Sequence, residues 1–412
     1  MNLWDSIVST IEQASEFYFL FELAILVIAV KVMGHLSTKI GQPSVFGKLL
    51  VGIILGPSLL NIIHPSPLIS HLAEIGVILL MFLAGLETDL DEFKKNGFAA
   101  TTVAIGGVVL PFLGGMGLSL LFGFETTVAV YIGTLLVATS VSISVQTLRE
   151  MGKLKSREGT TILGAAVLDD VLGIIVLSAV LGFTAGSSAG AGGVADLVFL
   201  IIKIAVFFVI AVVIGYFVLP PLLKWFQRLQ VTQTMLAFGV IVALLFAYLS
   251  ELFGVAGIVG SYVCGLMLSL TPQRDELTER VETFSYPLLV PLFFANIGLV
   301  ANFREVNTDI IWFSILLVIV AVLGKVLGGA IGAKVARFNT KSAFGIGAGM
   351  VARGEVGLII AMIGIERGII STDLFSAALV VVIASTLVTP PLLKLLMKNG
   401  EETETAQSTV RS

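Results

Sequence analysis

The sequence predicts an all-α membrane protein of about thirteen transmembrane helices, built as an inverted-topology repeat. Three observations carry this. Mean hydropathy is +1.04, hydrophobic residues make up 57% and charged residues only 13% of the 412, against about 25% charged in soluble domains. Apolar runs long enough to cross a hydrocarbon layer as helices recur along the whole chain. Residue patterns in the second half repeat those of the first at a nearly constant offset.

In order, the runs lie near 17–37, 44–60, 70–87, 96–122, 128–148, 158–183, 195–223, 232–252, 255–270, 281–300, 309–335, 342–365 and 373–396. The Gly/Ala/Ser stretch 184–194 reads as a flexible connection and the polar tail after Lys398 as disordered. If the runs alternate in direction, most basic residues, among them Lys39, Lys94, Lys95, Arg149, Lys153, Arg157, Arg274, Lys334 and Lys394, fall on one side. The other side's loops hold only Arg304 and Arg367. The positive-inside rule then places the N-terminus outside and the C-terminus in the cytoplasm. The N-terminus lacks a basic n-region, so no cleavable signal peptide is expected.

The repeat is read from several weak matches that share an offset. Gly47 and Gly52 recur as Gly260 and Gly265, and Gly85-Leu86 recurs as Gly298-Leu299, all at 213 (260 − 47, 298 − 85). Asp89-Leu90 recurs as Asn302-Phe303. Gly114-Gly115 and Ala138 recur as Gly328-Gly329 and Ala352 at 214 (328 − 114, 352 − 138). The offset carries the second run onto the ninth. Seven is odd, so the halves are inverted, with the seventh run left as a linker. Inverted repeats are the mark of secondary transporters, with the site near the midplane.

Charge in the apolar runs locates that site. Asp169-Asp170 sit mid-way in the sixth run, where each aspartate costs about 2.5–3.5 kcal/mol to insert. Such groups face ion or proton pathways by default, the alternative being a structural pair buried among helices. Lys325 lies mid-way in the eleventh run, too deep to snorkel, and needs a buried anion; Asp169, Asp170 and Glu355 are the candidates. Consecutive helical residues point about 100° apart, so one aspartate can face Lys325 while its neighbour faces the ion path. In the fifth run Thr139, Ser140, Ser142 and Ser144 bring hydroxyls to mid-membrane, and the repeat places them opposite Arg353-Gly354-Glu355 in the twelfth. Both segments read as helix breaks that free backbone carbonyls for a cation and aim half-helix ends at the site. The alternative is intact helices with hydroxyl packing and a local Arg353–Glu355 salt bridge. The remaining dense glycines, including Gly106, Gly107, Gly324 and Gly328, read as close helix packing.

Several classes are excluded or disfavoured. The lone Cys264 rules out an intramolecular disulfide and a cysteine metal site, and His35, His64 and His71 lack metal-ligand spacing. The basic residues form no nucleic-acid patch. An intramembrane aspartyl protease needs two aspartates facing across a gap, which adjacent residues on one helix cannot supply. A channel is compatible with the repeat, but carboxylates that swap one ion for another suit exchange better.

Thr139-Ser140, Asp169-Asp170, Lys325 and Arg353-Gly354-Glu355 resemble the cation:proton antiporter-2 group, specifically the NapA/GerN-type sodium/proton antiporters, over nearly the whole chain. The resemblance implies an NhaA/NapA-like antiporter fold, not an enzyme, in a homodimer embedded in the cell membrane. It implies Asp170 as principal ion carboxylate, Asp169 as partner of Lys325, Thr139 and Ser140 as lining residues, and Arg353 and Glu355 as shapers of the crossing helices. Na+ (or Li+) would be held at Asp170 and Asp169 and exchanged electrogenically for H+, with no cofactor, the runner-up being electroneutral or potassium-selective exchange by the same fold. The division implied is scaffold 1–95, core 96–184, linker 185–230, scaffold 231–305, core 306–398 and cytoplasmic tail 399–412. Kef-type potassium systems of the group carry Gln-Asp at the aspartate pair and often a C-terminal nucleotide-binding domain, for which this chain ends too soon. Ligand-gated potassium efflux is therefore not expected, while potassium stays open as a transported ion.

Overall fold

A computed structural model describes residues 18–184, 192–300 and 310–397, and every regular element among them is helical. Most of the Gly/Ala/Ser connection, Asn302-Phe303, Arg304 and the polar tail lie outside the described residues. The first half comprises α1 (Tyr18–Lys39), α2 (Ser44–Leu55), α3 (Pro67–Glu87), α4 (Leu90–Lys95), α5 (Gly97–Leu121), α6 (Thr126–Val137), α7 (Val141–Glu150) and α8 (Arg157–Thr184). A linker of α9 (Gly192–Val213), a π turn (Ile214–Val218) and α10 (Leu219–Phe226) follows. The second half comprises α11 (Thr234–Leu252), α12 (Gly257–Leu268), α13 (Arg274–Ser285), α14 (Leu289–Val300), α15 (Ile311–Val335), α16 (Thr340–Gly349), α17 (Glu355–Glu366) and α18 (Thr372–Met397).

Helix ends follow local chemistry. The Ser66 hydroxyl accepts from the Ile69 N–H at 3.3 Å, with Pro67 at the first helical position of α3, where its missing N–H costs nothing. Asn339 caps α16 by accepting from the Ser342 N–H at 2.8 Å.

The repeat is written in the helix bounds. α12 follows α2 by 213 residues at both ends (257 − 44, 268 − 55), and α15 follows α5 by 214 at both ends (311 − 97, 335 − 121). The starts of α16 and α17 follow those of α6 and α7 by 214 (340 − 126, 355 − 141). The mates α5 and α15 pack together and run antiparallel. Thr102 donates to the Gly332 carbonyl at 2.9 Å, Gly106 abuts Gly328, and Pro111 abuts Gly324. Numbers rise along one helix as they fall along the other, which is the inversion made visible. Two repeat-related crossings have no room for a side chain: Gly52 meets the backbone at Ala295–Gly298, and Gly265 meets it at Phe82–Leu86.

The expected count of thirteen spans is not confirmed. Among the described residues nine helices, two of them interrupted, are long and apolar enough to cross a membrane, or ten if α13 and α14, bent by 49°, form one span. The second and ninth runs yield only 12-residue helices, about 18 Å at 1.5 Å per residue, because the apolar runs continue into non-helical turns. α1, α2, α3, α11, α12 and α14 pack as one group, and α5, α6, α8, α15, α16 and α18 as another. α7 and α18 bridge the two by packing on α2. The stretch Thr126–Glu150 is 89% buried, against 22% for α1, so the broken span is central and α1 peripheral.

Candidate functional site

The aspartate pair lies mid-way along α8, and Lys325 mid-way along α15. The Lys325 Nζ donates to Asp169 at 2.9 Å (Oδ2) and 3.1 Å (Oδ1), and both side chains are 0% exposed. The anion that Lys325 requires is therefore Asp169. Asp170, one step round the helix, is slightly more accessible at 7%. Gly107 on α5 faces the pair: a Cβ there would lie in ordinary contact with it, 3.7 Å from Nζ and 3.9 Å from Asp169 Oδ1.

Both predicted breaks exist and cross. α6 ends at Val137 and α7 starts at Val141; α16 ends at Gly349 and α17 starts at Glu355. The Ser140 N–H donates to the Ala352 carbonyl at 2.7 Å, and Ser144 donates to the Gly349 carbonyl at 2.6 Å. Gly354 must be small, because a Cβ would sit 2.7 Å from the Ser140 hydroxyl. Thr139 is buried, its hydroxyl 3.4 Å from the Val137 carbonyl.

Arg353 is wholly buried at this crossing. Its guanidinium donates to the carbonyls of Val351 (3.0 Å), Leu136 (2.8 Å) and Ala321 (3.2 Å). Leu136 belongs to the C-terminal end of the half-helix α6, where partial negative charge accumulates, and Val351 lies in the break just past the end of α16. The cation is thus met by backbone from three segments. The Glu355 side chain lies outside the described residues, so the Arg353–Glu355 pairing has no test here. The Arg353 carbonyl in turn accepts from the Thr386 hydroxyl. Carbonyls released by the breaks at Leu136, Val137, Gly349, Val351, Ala352 and Arg353 each already accept a protein hydrogen bond. These six carbonyls are thus engaged within the protein, and the carboxylate of Asp170 and the hydroxyls of Thr139 and Ser140 are further hard oxygen donors of the kind an alkali cation takes.

A cavity of about 530 Å³ approaches the crossing from one face, lined by Glu74, Tyr248, Glu251, Asn296, Gly354 and Ile359 among others. Among the described residues no cluster of three or more His, Cys, Asp or Glu could hold a metal ion.

Sequence reasoning passed over Thr386 and read Gly107 as packing alone. The Ser385-Thr386 pair in the middle of an apolar run was the available signal for the first. Nothing in the sequence distinguishes Gly107 from the adjacent Gly106, which meets the Gly328 carbonyl instead.

Comparison with known proteins places the fold and the family. The chain is 45% identical over 379 residues to the Na(+)/H(+)-K(+) antiporter GerN of Bacillus cereus, covering 92% of this chain and 96% of that one. It is 36% identical over 380 residues to a Na(+)/H(+) antiporter of Enterococcus hirae, covering 92% and 98%. Its fold matches the sodium proton antiporter MjNhaP1 of Methanocaldococcus jannaschii with a TM-score of 0.67 at 18% identity, covering 92% and 98%. Residues 23–399 match the transmembrane sodium/hydrogen exchanger family, and the chain belongs to that family of multi-pass membrane antiporters.

Proposed function

We propose that the protein exchanges Na+ or Li+ for H+ by carrying both, at different times, on one site at Asp170. The observation that carries this is the fully buried Asp169–Lys325 pair beside Asp170, on a helix that also meets the first break, where a Cβ on Gly173 would lie 3.8 Å from Val137. A desolvated aspartate holds either a proton or a dehydrated cation, and each displaces the other. Thr139 and Ser140 supply neutral oxygens at the same level. When sodium occupies Asp170 and draws on Asp169, the Lys325 salt bridge weakens and the lysine can release its proton. Arg353 holds the crossing together, with Glu355 at the start of α17.

In this reading α5–α8 and α15–α18 form a core (96–184 and 306–398) that carries the occupied site past a scaffold of α1–α3 and α11–α14 (1–95 and 231–305). Alternating access results from that movement. The protein is a homodimer in the cell membrane, N-terminus outside and C-terminus cytoplasmic. Two protons per sodium make the exchange electrogenic. Potassium is the second cation to test, because the printed name of the Bacillus cereus relative includes K(+).

The test is transport by purified protein in liposomes with sodium, lithium and potassium compared. Asp170→Asn keeps the shape and removes the exchangeable charge. It is expected to abolish cation-driven proton movement in a folded protein. Near wild-type exchange by that variant would move the site elsewhere.

A further inference from the structure

α7 carries a second set of polar contacts at the end remote from Thr139-Ser140. The Arg149 guanidinium reaches Glu87 at the end of α3 and Glu282 on α13, both at 2.9 Å. It also donates to the Tyr286 hydroxyl at 2.7 Å and stacks over that ring at 4.6 Å. One residue on, Glu150 accepts from the Ser44 N–H at 2.6 Å and from the Ser44 hydroxyl at the start of α2. Lys48 Nζ is 3.7 Å from the same carboxylate. Arg149 and Glu87 are each 16% exposed. Charge-assisted contacts sharing one half-buried guanidinium are stronger than isolated surface pairs, which contribute little.

All of these contacts lie on the face where the basic loops gather, and all join α7 to α2, α3, α13 or the turn that follows α13. The repeat supplies the comparison with the opposite face. At offsets of 213 and 214, Arg149, Glu150, Glu87, Ser44, Glu282 and Tyr286 correspond to Ile363, Gly364, Val300, Gly257, Ile69 and Ala73. None of these counterparts has a charged or polar side chain. Three of them, Ala73, Gly257 and Val300, line the 530 Å³ cavity. The same interface is closed by charges on one face and open on the other.

We propose that Arg149, with Glu87, Glu282 and the Glu150–Ser44 contact, is a latch that holds α7 against the scaffold and keeps the basic face closed. The proposal rests on the alternating-access reading above. Opening the basic face requires α7 to part from α2, α3 and α13, and these contacts break together. One guanidinium serves three partners, so one substitution releases most of the latch. Among the described residues the face bearing the cavity has no equivalent, which biases the resting protein toward the state seen.

The experiment uses full-length protein with Cys264→Ser and a single reporter, Ile359→Cys, in the cavity wall. Labelling by a membrane-impermeant maleimide from the cavity side reads how much protein has that face open. Arg149→Gln is expected to slow labelling several-fold, Glu282→Gln to slow it less, and Arg149→Lys to restore most of the rate. Unchanged labelling in Arg149→Gln overturns the latch. If that variant does not fold, unchanged labelling in Glu282→Gln overturns it instead. A separate pair, Ser44→Cys with Glu150→Cys, tests the underlying reading. If the oxidised cross-link leaves transport intact, the core does not move against the scaffold and alternating access itself fails. If the cross-link stops transport and the glutamine variants label normally, only the latch fails.

Discussion

Replacing Lys325 with Gln tests both the architecture and the transport cycle. Both Asp169 oxygens lie within 3.1 Å of the amine, and neither side chain touches solvent. Water cannot take the place of the lost cation, so an unpaired charge is left buried at a cost of about 3–5 kcal/mol. Removing the second charge as well, with Asp169→Asn, leaves two neutral polar groups of similar size and recovers most of that loss. The thermal stability of the detergent-solubilised protein is therefore expected to fall sharply in Lys325→Gln and to recover in the double variant. In liposomes, a potassium/valinomycin clamp reads the charge moved. A potential of 100 mV biases one net charge by about 2.3 kcal/mol, roughly fortyfold in an equilibrium. Wild-type exchange is expected to respond to the clamp, with inside-negative potential driving proton entry and sodium exit. Any residual exchange by Lys325→Gln is expected to lose that response. If the double variant is as unstable as the two single losses added, the buried pair does not govern stability. If Lys325→Gln stays equally voltage-sensitive, the second proton does not come from the lysine.

Three further outcomes follow from the geometry. A Cβ on Gly357 would lie 4.0 Å from that of Ala138, within disulfide range, so Ala138→Cys with Gly357→Cys in Cys264→Ser is expected to cross-link, and failure under oxidising conditions would contradict the crossing. Gly106→Ala would drive a methyl into the Gly328 carbonyl, whereas Gly107→Ala meets only ordinary contacts; the first is expected to cost about 1–3 kcal/mol as overpacking and the second far less, with any effect appearing in transport, as thermal melts and liposome assays of both would show. Arg353→Lys keeps the charge but cannot reach three carbonyls from different segments with one compact ammonium, so it is expected to lose stability almost as Arg353→Ala does, and near wild-type stability on thermal denaturation would show that charge alone suffices.

Much of the site was legible because charge in an apolar run is rare and costly. Asp169, Asp170, Lys325 and Arg353 stand out for that reason, and the offset near 213 brought Thr139-Ser140 and Arg353 together before any coordinates did. The choice of aspartate for Lys325 was open from the residues alone, because neighbours 100° apart on a helix serve equally well until the facing helix is placed. The carbonyl partners of Arg353 were illegible, since every residue has a carbonyl and the sequence does not say which ones a break leaves open. Arg149 was read only as one of many positive-inside charges. Its bonds to Glu87 and Glu282 depend on how three helices meet, which hydropathy does not encode. The apolar runs overstate the length of α2 and α12 for a similar reason: an apolar run marks what avoids water, and the turns after those helices stay apolar without being helical, with Leu59, Leu60 and Leu270 exposed on the protein's apolar surface.

The repeat duplicates the frame but not the charges. Under the offsets of the helices concerned, Lys325 corresponds to Pro111 and Arg353 to Thr139 (325 − 111, 353 − 139). The start of α18 follows that of α8 by 215 (372 − 157), and counted from those starts Asp169 and Asp170 correspond to Ala384 and Ser385 (384 − 169, 385 − 170). Two inverted copies of one frame can exchange conformations with little difference in packing, because the interface one face adopts is already a solution for the other. Two copies of the charges would give two buried carboxylate pairs and two desolvation costs in one protomer. One set gives one site, and the breaks of both halves converge on it. The latch contacts at Arg149 and Glu150 break the symmetry a second time, at the rim instead of the centre. In the reading proposed above, asymmetry at the centre decides what is bound, and asymmetry at the rim decides which face is shut while the protein waits.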